Sequence, residues 1–318
     1  MVHHHEQARA VSSEPRTATI LPMTAQVELS AATRRLLRLI PETRGNWLVG
    51  TQLLRTMRGA RLARLSLRHG DFRADIGLDL SDPAQFTMVR SGRFDLMTAA
   101  MVCSALRSGD TFVDVGANWG YFTSIASQRV GPAGMVLAME PSRVAYRRLS
   151  DTLERERLVN VMAAQRAVYD RVGLQVSLVK RRLHQTTSSY VRERQTGGKR
   201  SVLTSTVDYL TSKMASGPVR LIKVDTEGAE LPVMRGAQRL LIESKTLVVL
   251  EVSRYSARFG YTMEQLYDYM AAMGYSCAYS IDDTPGHWRV SGPLTTVVEG
   301  QILFRHTDGD YTLPLDQS

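Results

Sequence analysis

Cysteine is nearly missing from this chain. Cys103 and Cys277 are the only two in 318 residues, and both sit in apolar contexts. A disulfide framework is therefore not expected, whereas a reducing compartment, the cytoplasm, is. No apolar run approaches the ~18 residues that a bilayer span requires, and no signal-peptide core precedes the folded region. Lysine is absent from residues 1–70, which hold eleven arginines against four acids (Glu6, Glu14, Glu28, Glu42), so +7 of the net charge of +9 lies there. The rest of the chain is nearly neutral. A strongly basic catalytic face would suggest nucleic acid; a basic extension points to a docking or lid segment, or to a solvated helix face. Internal repeats are absent too. What is present is 43% hydrophobic residues, enough for a sizeable core. His3, His4 and His5 have the look of a tag and enter no metal argument.

The most informative run is Thr111-Phe-Val-Asp114-Val-Gly116-Ala117-Asn118-Trp-Gly120. An apolar, β-branched strand ends in an acid, a turn with two glycines follows, and residues 119–130 read as a helix. Glycine there lets the backbone approach a ligand closely. The Asp-x-Gly-x-x-x-Gly spacing differs from the dinucleotide fingerprint and suits S-adenosylmethionine (SAM), which has no pyrophosphate and carries a cationic amino-acid group. A second apolar strand from Gly134 ends in Glu140-Pro141, about 20 residues after the turn, as in ribose recognition by doubly wound folds. Glu140 can accept from both ribose hydroxyls, and it can also cap a helix starting at Pro141.

Together with Ile222-Lys-Val-Asp225-Thr-Glu227-Gly-Ala-Glu230, these segments resemble the FkbM family of SAM-dependent methyltransferases, whose marks are Val-Asp-Val-Gly-Ala-Asn-x-Gly, Glu-Pro and Lys-Ile-Asp-Val-Glu-Gly. The likeness runs from about Arg64 to His306. Thr226 departs from the family's usual Val, and Phe94-Asp95 stands where Tyr-Glu is frequent. The resemblance implies a Rossmann-like, seven-stranded class I methyltransferase sheet with helices on both faces and an antiparallel final hairpin. It also implies a hydroxyl acceptor on a sugar, glycolipid or secondary metabolite such as a macrolide. In methyltransferases generally, the end of the third strand holds adenine, which assigns Ala167.

Periodicity organises the rest. Residues 1–27 lack it and are expected to be mobile. Residues 28–108 form an extension: two short amphipathic helices between Ser30 and Gly59, a hairpin over 64–80, and an amphipathic helix over 95–107. The methyltransferase domain covers 109–308. Its elements are helix 142–157, strand 160–167, an inserted antiparallel pair (172–180 and 202–207) around a basic excursion at 181–200, strand 219–225, helix 229–242, strand 246–252, helix 262–273 and strands 275–281 and 301–305. A tail occupies 309–318. The two N-terminal helices are expected near the carboxyl ends of the strands, at the acceptor pocket or a dimer contact.

The expected cofactor site is Asp114, Gly116, Ala117, Asn118, Gly120, Glu140, Ala167 and Asp225, with Asp114 organising the turn and reaching the SAM amino group directly or through water, and Asn118 donating from its amide. Asp225 and Glu227, two apart on an extended segment, share a face and bracket the methyl donor or the acceptor hydroxyl. An alcohol needs its proton removed, so Asp225, Glu227, His184 and His287 are candidate bases. Buried Lys223 needs a carboxylate partner, for which Glu251 is the candidate. Asp225, Glu227 and Glu251 could offer oxygen ligands to Mg²⁺, but no spacing demands it and no metal is assigned. The alternatives to a small-molecule O-methyltransferase are a nucleic-acid methyltransferase, a catalytically silent SAM-binding scaffold and an NAD-dependent reductase. The first lacks an Asn/Asp-Pro-Pro-aromatic tetrapeptide and an aromatic-interleaved basic surface.

Overall fold

The computed structural model describes residues 17–18, 23–39, 46–56, 62–180, 189–193, 201–283, 289–292 and 294–309. His184, His287, the triple histidine and residues 310–318 of the tail lie outside them.

Seven strands form the central sheet: β1 Thr111–Val115, β2 Met135–Met139, β3 Val161–Ala164, β4 Val219–Val224, β5 Leu247–Val252, β6 Cys277–Asp282 and β7 Gly300–Arg305. Their spatial order is β3-β2-β1-β4-β5-β7-β6, and two short strands, Arg289–Ser291 and Thr17–Ala18, continue the β6 edge. The strands β3, β2, β1, β4 and β5 run parallel, whereas β7 is antiparallel to both β5 and β6. Strand order reverses between β1 and β4, and ligands of open α/β sheets bind at such a switch point, outside the carboxyl ends of the strands.

The sheet is apolar on both faces because both are covered. Alternate residues feed opposite layers: Phe112, Ala138, Leu221 and Val249 enter one core, and Val113, Leu137, Ile222 and Leu250 the other. The first core also takes Leu65, Leu67, Ile76 and Leu78 from the extension. Helix Leu96–Ala105 is buried along nearly its whole length. It is therefore not the amphipathic helix that the sequence suggested, because its sides pack on the sheet and on the extension.

Several elements depart from the sequence reading. The hairpin gains a third strand, Thr24–Leu29, paired antiparallel with Leu62–His69. A boundary at residue 27 therefore cuts a strand, and residues 23–27 of the stretch expected to be mobile are ordered by main-chain pairing. Helix Pro83–Ser91 was not foreseen, although Asp82 caps it by accepting from the N–H groups of Ala84 and Gln85 and proline opens it. Helix Val207–Met214, capped by Thr206, also follows where a strand end was expected. The helix expected over 229–242 breaks in two, Glu230–Arg235 and Gln238–Ser244. Third-strand pairing ends at Ala164; Ala167–Val168 joins a separate sheet in which Ser201–Ser205 lies parallel to it and antiparallel to Gln175–Lys180. Helices Ala31–Leu39 and Asn46–Thr56 form as expected. Arg90 Nη1 donates to the Leu37 carbonyl at 2.6 Å, tying the first of them to helix 83–91.

Candidate active site

A cavity opens at the switch point, lined by residues from the ends of β1, β2, β4 and β5 and from the Arg166–Val168 segment. Gly116, Asn118, Glu140, Ala167, Asp225, Glu227 and Glu251 all face it. Asp114, Ala117 and Gly120 do not line it.

The turn after β1 is held by main-chain bonds. Gly116 and Ala117 donate to the Met139 carbonyl at 2.9 and 3.0 Å. Gly116 has φ +86°, and a Cβ there would stand 2.0 Å from the Asp225 carbonyl oxygen, so only glycine lets the two loops meet. Gly120 serves packing instead: its Cβ would collide with Leu149 of helix Arg143–Glu156. Asp114 is sealed beneath the turn at 1% exposure, where the Thr123 hydroxyl donates to it at 2.6 Å. Burial raises its carboxyl above the ordinary range, with Lys223 opposing. Asp114 thus organises the turn from beneath and does not line the cavity.

Glu140 is the polar anchor of the cofactor side. Its Oε2 accepts from the Asn118 N–H at 2.9 Å and its Oε1 from the Ser142 N–H at 2.8 Å. Ser142, not Glu140, is the N-cap of the next helix, which starts at Arg143. Burial lifts the Glu140 carboxyl to about 7 against those two donors. Asn118 is left-handed, φ +51°, and its side-chain Oδ1 is buried without a hydrogen-bond partner. An orphan acceptor in a cavity costs free energy unless a ligand supplies a donor. The amide was expected to donate; it is the main chain that donates here, and the side chain offers an oxygen.

The other side is built on one buried cation. Lys223 is 1% exposed, its Nζ stands 3.3 Å from Asp225 Oδ2 and lies 4.5 Å from the Phe122 ring centroid. The ion-pair partner is therefore Asp225, on the same strand end, and Glu251 acts on Lys223 through space. Burial alone would lower the ammonium, yet Asp225, Asp114 and Glu251 outweigh it and raise it. Desolvation would raise Asp225, but Lys223 and a hydrogen bond with Glu251 hold it below the usual carboxylate range. Glu251 is pushed far up, first by the Asp225 charge and then by burial. Two carboxyls in contact cannot both ionise easily, so the proton of the pair rests on Glu251.

Asp225 and Glu227 do not share an extended face. Pairing ends at Val224, Glu227 is left-handed at φ +58°, and Gly228 follows at +115°. Buried Glu230 sets this turn: its Oε1 accepts from Thr226 N–H (3.2 Å), Thr226 Oγ (2.9 Å) and Gly228 N–H (3.1 Å). Tyr261 completes the frame, donating to the Gly228 carbonyl at 2.7 Å and lying 3.2 Å from Glu230 Oε2. The departure to threonine at 226 thus supplies one of the donors. Glu230 and Tyr261 were missed as site-forming residues; the only signal was an acid three residues after Glu227.

The lining can hold a cation bearing several hydrogen-bond donors. Glu140 and Asn118 Oδ1 are acceptors, and Asp225, Glu227 and Glu251 outnumber Lys223 nearby. Those features fit SAM, with Glu140 and Asn118 toward its hydroxyl and amino groups and the segment at Ala167 toward its base. Among the described residues, no group of three or more His, Cys, Asp or Glu side chains stands where it could hold a metal ion.

Comparison with known proteins agrees with that chemistry. The family model of the methyltransferase FkbM domain matches residues 114–277. No curated protein matches. Among solved structures, the chain is similar to the methyltransferase FkbM of Methylobacillus flagellatus KT, at 16% identity and TM-score 0.40, over 86% of this chain and 58% of that one. The chain thus spans less than two thirds of that protein. It is also similar to a SAM-dependent O-methyltransferase of Thermotoga maritima (11% identity, 76% of each chain, TM-score 0.39). A precorrin-6y C5,15-methyltransferase of Geobacter metallireducens GS-15 matches at 12% identity and TM-score 0.39, over 67% of this chain and 88% of that one.

Proposed function

The chain belongs to the FkbM methyltransferase family, and on that premise we propose that it methylates a hydroxyl of a small molecule, using SAM as donor. The acceptor class is a sugar, a glycolipid or another secondary metabolite. The observation that carries this reading is the cavity itself, where Glu140 and the orphan Asn118 oxygen face the acidic cluster of Asp225, Glu227 and Glu251. When bound, SAM supplies an electrophilic methyl group on a sulfonium.

The chain's own residues then have three tasks. Glu140 and Asn118 orient the donor through hydrogen bonds. The Lys223–Asp225–Glu251 group, with the shared proton on Glu251, is close to neutral, and Glu227 adds an acid beside it, so the lining offers no surplus cation to a phosphorylated or nucleic-acid acceptor. Asp225, Glu227 or a residue beyond them takes the hydroxyl proton as the new bond forms. No helix among the described residues is long and apolar enough to cross a membrane.

Calorimetric titration with SAM, followed by mass spectrometry of candidate acceptors for a gain of one methylene, tests the reading. The variant Asp225→Asn keeps the shape and removes the charge. It is expected to fold and bind SAM while losing about 10²–10⁴-fold in turnover, the usual weight of a positioned acid or base. Failure of the wild-type protein to bind SAM would reject the proposal outright.

A further inference from the structure

Arg166 stands out in the wall of the cavity by its charge. Among the described residues that line it, Arg166 is the one cation, against Glu140, Asp225, Glu227 and Glu251. Its side chain is exposed and makes no hydrogen bond or ion pair with the described residues. On an open surface a solvated arginine needs no explanation. Here a cation borders a cleft whose acids suit a positively charged sulfonium, and it must therefore meet a part of the ligand that carries no positive charge.

The main chain fixes where that part lies. Residues 163–168 are locked to the turn that carries Glu140. The Ala164 carbonyl accepts from Glu140 N–H at 3.2 Å and from Arg166 N–H at 3.0 Å, so the two residues hang from one oxygen. Gln165 Nε2 donates to the Pro141 carbonyl, and the Tyr146 hydroxyl donates to the Ala163 carbonyl, each at 3.4 Å. Beyond Arg166 the chain is pinned again, because Ala167 and Val168 are buried and pair with Thr204 and Ser205 of the small sheet. Arg166 is thus held next to Glu140, with Met139, Pro141, Ala167 and Val168 supplying apolar lining beside it.

An acid with lone pairs for ribose hydroxyls, an apolar slot and a planar cation together match a nucleoside. Guanidinium is flat and weakly hydrated, and it stacks on aromatic faces in a way that a lysine ammonium does not. Nucleic-acid bases are held between side chains on such guanidinium planes. Adenine is uncharged at neutral pH and presents that kind of face.

We propose that Arg166 covers the adenine of the cofactor, closing a slot whose other walls are apolar. This rests on the SAM reading above. Adenine is unchanged by methyl transfer, so Arg166 binds donor and demethylated product alike and contributes to affinity without favouring the transition state.

Calorimetry with three adenine-containing ligands tests it: SAM, S-adenosylhomocysteine and 5′-methylthioadenosine, the last of which is uncharged. Arg166→Ala should bind all three about 3- to 30-fold more weakly than wild type, by a common factor. Arg166→Lys keeps the charge without the planar fork and should recover only part of that loss. Melting points of the unliganded variants should stay within about 1 °C of wild type, since the side chain is exposed and touches no partner. Tighter SAM binding by Arg166→Ala with 5′-methylthioadenosine unmoved would show a point charge that repels the sulfonium. Full recovery in Arg166→Lys would also make it a point charge, and a lower melting point would make it structural. Each of these overturns the proposal. If wild type and Arg166→Ala bind the three ligands equally, Arg166 alone leaves the site. If the wild type binds none of them, the cofactor reading falls and takes this assignment with it.

Discussion

The two halves of the cleft hold their carboxylates by opposite means. On the cofactor side Glu140 has no cationic partner among the described residues; two main-chain N–H groups stabilise it, and burial still lifts it to about 7. On the acceptor side Asp225 leans on the buried ammonium of Lys223, which also bears on Asp114, Glu251 and Asp95 and holds Asp225 low. Backbone donors fix direction without adding net charge, which suits a group that must present lone pairs to hydroxyls. A shared lysine lets several acids crowd into one place, which suits a group that must manage protons. The halves also differ in what shapes their turns. Gly116 ties the first turn to the Asp225 main chain, while the second turn is shaped by the side chains of Glu230 and Tyr261.

The difference breaks most sharply at Lys223. Lys223→Met removes the one buried cation among the described residues and leaves Asp225, Asp114 and Glu251 near each other without it. Loss of one partner from a buried pair costs about 3–5 kcal/mol. The expected outcome is a large fall in denaturation midpoint at pH 8 that narrows at pH 5 as the stranded carboxyls take up protons. A loss independent of pH would mean that packing on the Phe122 ring, and not charge, is what Lys223 supplies.

Glu140 probes the other half and gives a smaller effect, in ligand affinity more than in stability. Glu140→Ala should weaken SAM binding by about 1–3 kcal/mol, the range for losing a charged hydrogen-bond acceptor. The ionised form is the better acceptor, so wild-type affinity should fall as pH drops through about 7. The stability trend runs the other way. A carboxyl raised from 4.5 contributes fully below pH 4.5 and loses that contribution as pH rises through about 7. Calorimetry across pH 6 to 8 separates the two trends; affinity that is flat over this range would take Glu140 out of the ligand's contacts.

The same contrast explains what could be read from the chain without coordinates. The glycine turn and Glu140 are local: they lie within 26 residues, on strands whose apolar, β-branched runs announce themselves, so the strand–turn–helix unit was legible, whereas the seven-stranded sheet came from the family resemblance. The lining itself was less so, because periodicity does not tell a residue beside a ligand from one sealed beneath the turn. Asp114 and Gly120, both expected at the cofactor, do not line the cavity. The other side draws on Lys223, Asp225, Glu251 and Tyr261, and no spacing connects the N-terminus of helix Leu96–Ala105 to Asp283, which accepts from the N–H of Met97 across 186 residues. The extended segment expected from Asp225 to Glu227 does not form because Glu230 bends the chain by gathering three donors on one oxygen. Strand Thr24–Leu29 alternates outward Thr24, Gln26 and Glu28 with inward Ala25, Val27 and Leu29, a signal hidden by its Ser- and Pro-rich surroundings.

Tyr261 carries the smallest expected effect and isolates the side-chain frame of the second turn. Tyr261→Phe keeps the ring in the core but deletes the hydroxyl that donates to the Gly228 carbonyl and accepts from Leu231 N–H at 3.2 Å. Its loss leaves buried groups short of partners, a cost of about 1–2 kcal/mol, which urea denaturation would read as a lower midpoint with an unchanged slope. Glu230 still gathers Thr226 and Gly228 in this variant, so the turn should loosen without collapsing. The cofactor half touches neither Tyr261 nor Glu230, and SAM affinity should therefore stay at the wild-type value while turnover drops several-fold. Equal losses in affinity and turnover would show that the two halves are one mechanical unit, joined through the contact of Gly116 with the Asp225 backbone.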